Sequence, residues 1–257
     1  MKKHEKRKLY FSLKTMTIVL SIFTSERAIS IGPEIELATI GAKTVMRTVK
    51  NLLVVNVSPN LNQSHSKALS MHFVERLQKR YPGQYSPCYK DLEKEPIPHL
   101  SSRNLEVIMH GTATTPEAKI LKGLSDTLIG DMRRANAIVF STPMHNFTVP
   151  ASLKAYFDIV LRAGETFKYT SNGPEGMLAD RPVILISTSG GCYAETEGDF
   201  LTPYIKYVLR FIGIRNVTSV IAEGLAIESK KNSSLTTARE VLERHLEPFH
   251  QSLTQDS

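Results

Sequence analysis

Cysteine is scarce: Cys88 and Cys192 are the only two in 257 residues. They form neither a disulfide framework nor a metal-ligand spacing, so no metal is expected. That scarcity suits a reducing compartment, the cytoplasm, and both residues read as buried thiols rather than nucleophiles. Long apolar runs are missing too. Met16 to Phe23 is eight residues, far short of the roughly 20 that cross a bilayer, so no membrane is expected. Nor is there positive charge in the body of the chain to match the formal +7. The first 50 residues hold 10 Lys and Arg against 4 Asp and Glu, while the other 207 hold 22 against 21. A basic groove for nucleic acid is therefore excluded. What remains, at 41% hydrophobic, can bury one substantial core.

Residues 1–45 do not read as the start of that core. A basic opening precedes the short apolar segment, and Ala28 to Ser30 make an imperfect cleavage site for a weak secretory signal. The preferred reading starts the domain, residues 46–257, at Met46. The preceding extension is then a disordered tail or an upstream extension of the reading frame.

The body is organised around Ala137 to Gly164. Ala137 to Phe140 is a buried apolar run bounded by Pro143, which predicts a central parallel strand. A helix follows, with Thr148 as cap, Pro150 in its first turn and Gly164 as a left-handed stop. Asn51 to Val57 predicts the first strand, Gln84 to Lys90 a second at an edge because of Pro87, Arg181 to Ser187 a fourth and Asn216 to Ile221 a fifth. Helices are predicted through Leu69 to Leu77, from Thr115 to Arg134, from Asp199 to Phe211 and from Ser234 to Phe249, with an irregular stretch after Asp91. This alternation predicts an α/β, doubly wound, five-stranded parallel sheet in the flavodoxin-like order 2-1-3-4-5, with helices on both faces.

Three loops then meet at the crevice where strand order reverses. The loop after the first strand is rich in hydroxyls and runs into a helix N-terminus, where unpaired N–H groups and the helix dipole favour an anion. It lacks the glycines of a dinucleotide fingerprint and the Gly-Lys of a P-loop. That points to a terminal monophosphate on Ser58, Ser64, His65 and Ser66. Met144, His145, Asn146 and Phe147 follow the third strand, where a planar cofactor would meet the protein. Thr188, Ser189, Gly190 and Gly191 follow the fourth, the paired glycines leaving room for a ligand ring.

Pro143 to Phe147, Leu153 to Asp158, Arg162 to Gly164, Thr166 to Thr170, Asn172 to Gly176, Gly213 to Ile214 and Ala222 to Gly224 together resemble the FMN-dependent NADH azoreductase family, also described as NADH:quinone oxidoreductases. The resemblance covers about residues 47–250. It implies FMN as bound cofactor and NADH as donor. Ser58 and Ser64 to Ser66 would lie at the phosphate, Met144 to Phe147 at the ring and Thr188 to Gly191 at the pyrimidine edge. It further implies a homodimer with sites at the interface, and Phe147, Tyr169 and Phe211 near the ring or substrate space. The implied reaction is ping-pong: a hydride from NADH passes through flavin N5 to quinones and azo compounds, with no obligatory acid or base assigned to the protein. Two residues depart from the family pattern. His145 stands where Tyr is common, and Ser189 where Arg often supplies a positive charge. The rivals are an NAD(P)H-dependent flavin or nitro reductase on the same fold, and a flavodoxin-like electron carrier. Carriers are usually strongly acidic, and this body is near neutral.

Overall fold

The computed structural model describes residues 35–40, 43–60, 62–102 and 104–254. The chain divides at Met46 into two units. Of the first, the described residues form two strands, Ile35–Ile40 and Lys43–Thr48, paired in a sheet of their own. The segments at 16–23 and 28–30 lie outside the described residues.

The second unit, Arg47–Ser257, holds a five-stranded parallel sheet. Its strands are β1 Lys50–Asn56, β2 Tyr85–Asp91, β3 Ala137–Pro143, β4 Val183–Thr188 and β5 Val217–Ala222, in the order β2-β1-β3-β4-β5. This is the order expected, with the Pro87 strand at an edge. Successive residues of a strand face opposite sides, and the core divides accordingly. Leu52, Val54, Val139 and Ile186 pack under helices α1 (His65–Arg80) and α6 (Glu228–Gln251). Leu53, Val55, Ile138 and Phe140 pack under α3 (Pro116–Arg134), α4 (Ala151–Val160) and α5 (Leu201–Phe211). The three inner strands are buried on both faces, which is why they read as unbroken apolar runs.

Four local expectations need correction. The stretch after Asp91 is not wholly irregular: it carries a short helix, α2, Leu105–His110, closed by Gly111 at φ 67°. The central helix is shorter than 148–164. Pro150 occupies its N-cap with ψ 151°, because Thr148 is committed to a tight turn with His145. Gly164 is left-handed (φ 79°) but sits past the helix, in the turn whose N–H donates to the Phe167 carbonyl at 2.8 Å. The closing helix starts at Glu228 rather than Ser234, through polar residues that carry no apolar period. Both cysteines are exposed, Cys88 on the outer edge of β2 and Cys192 in a loop.

α4 sets the backbone that leaves the central loop, and its packing exposes one unpaid polar group. Tyr156 is fully buried against Phe140 and Phe157, and among the described residues its hydroxyl has no hydrogen-bond partner. Burial pushes the phenol far above its ordinary pKa. A desolvated hydroxyl without a partner costs roughly 1–3 kcal/mol. Tyr156→Phe is therefore expected to leave folding stability unchanged or raise it by about 1 kcal/mol in urea unfolding. A loss of that size would reveal a partner for the hydroxyl.

Candidate functional site

The crevice between the exits of β1 and β3 is fixed by one buried amide. Asn56 Oδ1 accepts from Ser70 Oγ at 2.8 Å and Ser141 Oγ at 2.7 Å, tying β1 to α1 and to β3. The next residue continues the link, its N–H (Val57) donating to the Ser141 carbonyl at 3.0 Å. From there the chain runs through Ser58, which is buried and whose Oγ accepts from the Asn60 N–H at 3.3 Å. Ser64 is the N-cap of α1, its Oγ accepting from the Lys67 N–H at 3.2 Å and lying 3.2 Å from Ser66 Oγ. His65 and Ser66 open the helix, so their N–H groups are among those a helix leaves unpaired. The nearest ammonium on this helix is already engaged: Lys67 Nζ lies 2.5 Å from Asp91 Oδ2. Partial burial would raise the Asp91 carboxyl, but Lys67 and the Glu93 and Lys94 N–H groups outweigh it and hold it below its usual range. Hydroxyls, N–H groups and the helix dipole are what this turn offers an anion.

The loop after β3 is strained. The Met144 N–H donates to the Thr188 carbonyl at 2.7 Å, and His145 and Thr148 exchange N–H to carbonyl bonds at 2.9 and 3.1 Å. Inside that turn, Asn146 (φ 47°) and Phe147 (φ 69°) are both left-handed, at roughly 1–2 kcal/mol each for residues with a Cβ. Their surroundings hold them there, since the Phe200 N–H donates to the Phe147 carbonyl at 3.1 Å. Met144 is half-buried, whereas His145, Asn146 and Phe147 are exposed. Strained residues of this kind cluster at ligand-binding loops.

The loop after β4 leans on the exit of β5. The Ser189 N–H donates to Ala222, and the Leu225 and Ala226 N–H groups donate back to Ser189 and Gly190, all within 3.1 Å. Thr188 and Ser189 are buried, and Ser189 Oγ donates to the Gly191 carbonyl at 2.8 Å, so this hydroxyl braces the turn. Beside Gly191 lies the Tyr193 ring, which an added Cβ would meet at 2.7 Å. At Gly190 a Cβ would meet only the Ala226 methyl, at 3.3 Å.

The structure thus brings all three predicted loops to one end of the sheet, through Asn56 on one side and the bond from Met144 to Thr188 on the other. A hairpin arm, Phe167–Thr170 paired with Gly173–Gly176, packs at the far end of α5 from these loops: the Phe200 N-cap of α5 bonds Phe147, whereas Gly176 lies against Ile212 and Gly213 beyond its last residue. Phe167 is buried and packs on Phe211 (centroids 4.6 Å apart) and on Tyr169 (5.4 Å). Tyr169 itself is exposed. The base of the arm hangs on Arg162, a buried side chain that binds Ser125 at 2.8 Å and is paired with Asp126 and Glu165. Sequence reasoning missed Tyr193 and gave Glu223 no role, because only the strand order brings residues 30 apart in sequence into contact. Among the described residues, no group of His, Cys, Asp and Glu could hold a metal, and no helix is long and apolar enough to cross a membrane. The donor set suits a phosphate monoester, with a flat ring system beside the strained loop.

Comparison with known proteins agrees with that reading. A family model described as flavodoxin-like fold matches residues 50–246. The chain is 38% identical over 192 residues to an FMN-dependent NADH:quinone oxidoreductase of Hyphomonas neptunium, covering 74% of this chain and 91% of that protein. To a protein of the same description from Alcanivorax borkumensis it is 39% identical, covering 75% and 98%. Among solved structures, an FMN-dependent NADH-azoreductase of Bacillus anthracis in complex with FMN superposes with a TM-score of 0.71 at 26% identity, covering 78% of this chain and 99% of that one.

Proposed function

The chain belongs to the FMN-dependent NADH:quinone oxidoreductase and azoreductase family, on the flavodoxin-like fold, and from that premise we propose that it passes two electrons from NADH to quinones and aromatic azo compounds. The observation that carries this reading is the convergence of a cradle of hydroxyls and N–H groups, a strained loop and a braced turn at the switch point of the sheet. Those residues fit FMN. Ser58, Ser64, His65 and Ser66 would hold its phosphate, Met144 to Phe147 its ring, and Thr188 to Gly191 its pyrimidine edge. When bound, FMN supplies two-electron hydride chemistry, accepting from NADH and donating to the second substrate.

The protein's own contribution is orientation and exclusion. The left-handed Asn146 and Phe147 present backbone and an aromatic edge to a flat acceptor. Ser189 brings no charge to this edge, and its own N–H is committed to the Ala222 carbonyl. That predicts a slower or differently selective enzyme than one with Arg at this position, with cofactor binding retained.

The homodimer is part of the proposal. Phe147 and Phe200 beside the site, and Tyr207, Tyr169 and Met177 along α5 and the arm, are large apolar side chains left exposed, and a second copy would cover them. Light scattering is expected to give about twice the 28.7 kDa chain mass; the single-chain mass would contradict it. The activity is assigned to the Arg47–Ser257 unit, and two unpaired thiols suit the cytoplasm.

Rapid mixing tests the function. NADH added anaerobically to the FMN-loaded protein is expected to bleach the yellow absorbance, and benzoquinone or an azo dye to restore it. A flavin that stays oxidised over minutes would instead make this an electron carrier.

A further inference from the structure

We propose that Glu223 is a positioning residue for substrate recognition, acting through Tyr193; this deepens the reading above and rests on it. Glu223 follows the last residue of β5, and its Oε2 accepts two backbone N–H bonds, from Tyr193 at 2.7 Å and Ala194 at 2.9 Å. A single carboxylate oxygen thus pins the start of the segment that leaves the β4 loop. Charge-assisted bonds of this kind are roughly twice as strong as neutral ones. The segment needs that hold, because Glu195 just beyond is left-handed at φ 59°.

What the clamp fixes is an aromatic wall. Pinned at its N–H, Tyr193 lays its ring over Gly191 and beside Gly198, where an added Cβ would meet it at 2.7 and 3.2 Å respectively. The same ring meets Phe147 edge to face, centroids 5.4 Å apart at 83°. It also lines a narrow gap with Met144, Thr188 and Asp199. Tyr193 therefore joins the ring-contacting loop to the pyrimidine-edge loop. The paired rings offer an edge and a face to a planar aromatic guest, the geometry that aromatic pairs favour. The chemical class selected is a flat, electron-poor aromatic acceptor, held by contact with both rings.

Two measurements test this on the full chain. In the flavin-free protein, hydrogen exchange at the Tyr193 and Ala194 amides is expected to be slow in the unsubstituted chain and in Glu223→Gln, whose amide oxygen still accepts both bonds. In Glu223→Ala it should be at least about tenfold faster. With FMN loaded, Glu223→Ala and Tyr193→Ala are each expected to raise the KM for benzoquinone by about tenfold with kcat within about twofold, and the double variant to be no worse than Tyr193→Ala alone. Tyr193→Phe keeps the ring and should keep the KM. Unchanged exchange in Glu223→Ala, or additive effects in the double variant, would overturn the proposal. Should Glu223→Ala fail to fold, Tyr193→Ala still decides: an unaltered KM there overturns it. Absence of any turnover in the unsubstituted protein would sink the enzymatic reading instead, while the exchange result judges the clamp separately.

Discussion

Ser64→Asp is expected to weaken FMN binding by at least about 100-fold while leaving the flavin-free fold as stable as before. The two halves of that result have separate causes. Ser64 caps α1 through its Oγ and the Lys67 N–H, and Asp caps a helix as well as Ser does, with a favourable charge at the positive end of the dipole. The same carboxylate, however, would stand among the hydroxyls assigned to the phosphate, 3.2 Å from Ser66 Oγ in the present arrangement. Two unit charges about 4 Å apart at an effective dielectric near 20 repel by about 4 kcal/mol. The one ammonium on that helix turn is already paired with Asp91, so little screens the repulsion. Ser64→Ala should show the reverse pattern: about 1 kcal/mol of stability lost with the cap, and a fall in FMN affinity of only about tenfold. Flavin titration beside urea unfolding reads both. Equal FMN affinity in Ser64→Asp and the unsubstituted chain would move the phosphate elsewhere.

Gly176→Ala is expected to destabilise the protein by about 3 kcal/mol or more. Gly176 ends the hairpin arm and lies against the chain just past α5. An added Cβ would fall 2.2 Å from the Gly213 nitrogen and 2.3 Å from the Ile212 carbonyl carbon. Those are backbone atoms, so no rotamer change relieves the clash, and overpacking reaches the upper end of its range. Gly213 is reciprocally confined: at φ 111° its own Cβ would meet the Leu178 carbonyl oxygen at 2.3 Å. The arm can accommodate Ala only by leaving Phe211, taking Phe167 and Tyr169 with it. Gly173→Ala, at the arm's open tip with φ 106° and nothing within 4 Å, carries backbone strain alone and should cost only about 1–2 kcal/mol. A melting temperature for Gly176→Ala at or above that of Gly173→Ala would show that the arm is not seated as described.

The parts of this molecule that were legible in its sequence are those governed by local pattern. Strands such as Leu52 to Val55 are covered on both faces and so carry unbroken apolar runs. Thr115 and Pro116 opened α3 as expected, with Thr115 Oγ1 accepting from the Ala118 N–H at 3.1 Å. Strand order followed from alternation, and with it the meeting of three loops that are individually unremarkable. What escaped were features set by contacts distant in the chain. Thr148 looks like a cap until its backbone is seen bonded to His145, and Gly164 looks like a helix stop until the arm's return to Phe167 claims it. The start of α6 carries no apolar signal because Glu228 to Asn232 do not face the core. The Tyr193 ring lies over Gly191, held there by the Glu223 carboxylate just past β5, a contact no local pattern announces.

Three loops that grip a flavin by its phosphate as well as its ring must discriminate between flavins with and without that phosphate. The most direct measurement is the affinity of the flavin-free protein for FMN set against riboflavin, which shares the ring and lacks the phosphate. FMN is expected to bind at least about 100-fold more tightly, the worth of a few charge-assisted hydrogen bonds at a helix N-terminus. Riboflavin binding as tightly as FMN, or neither binding at all, would contradict it.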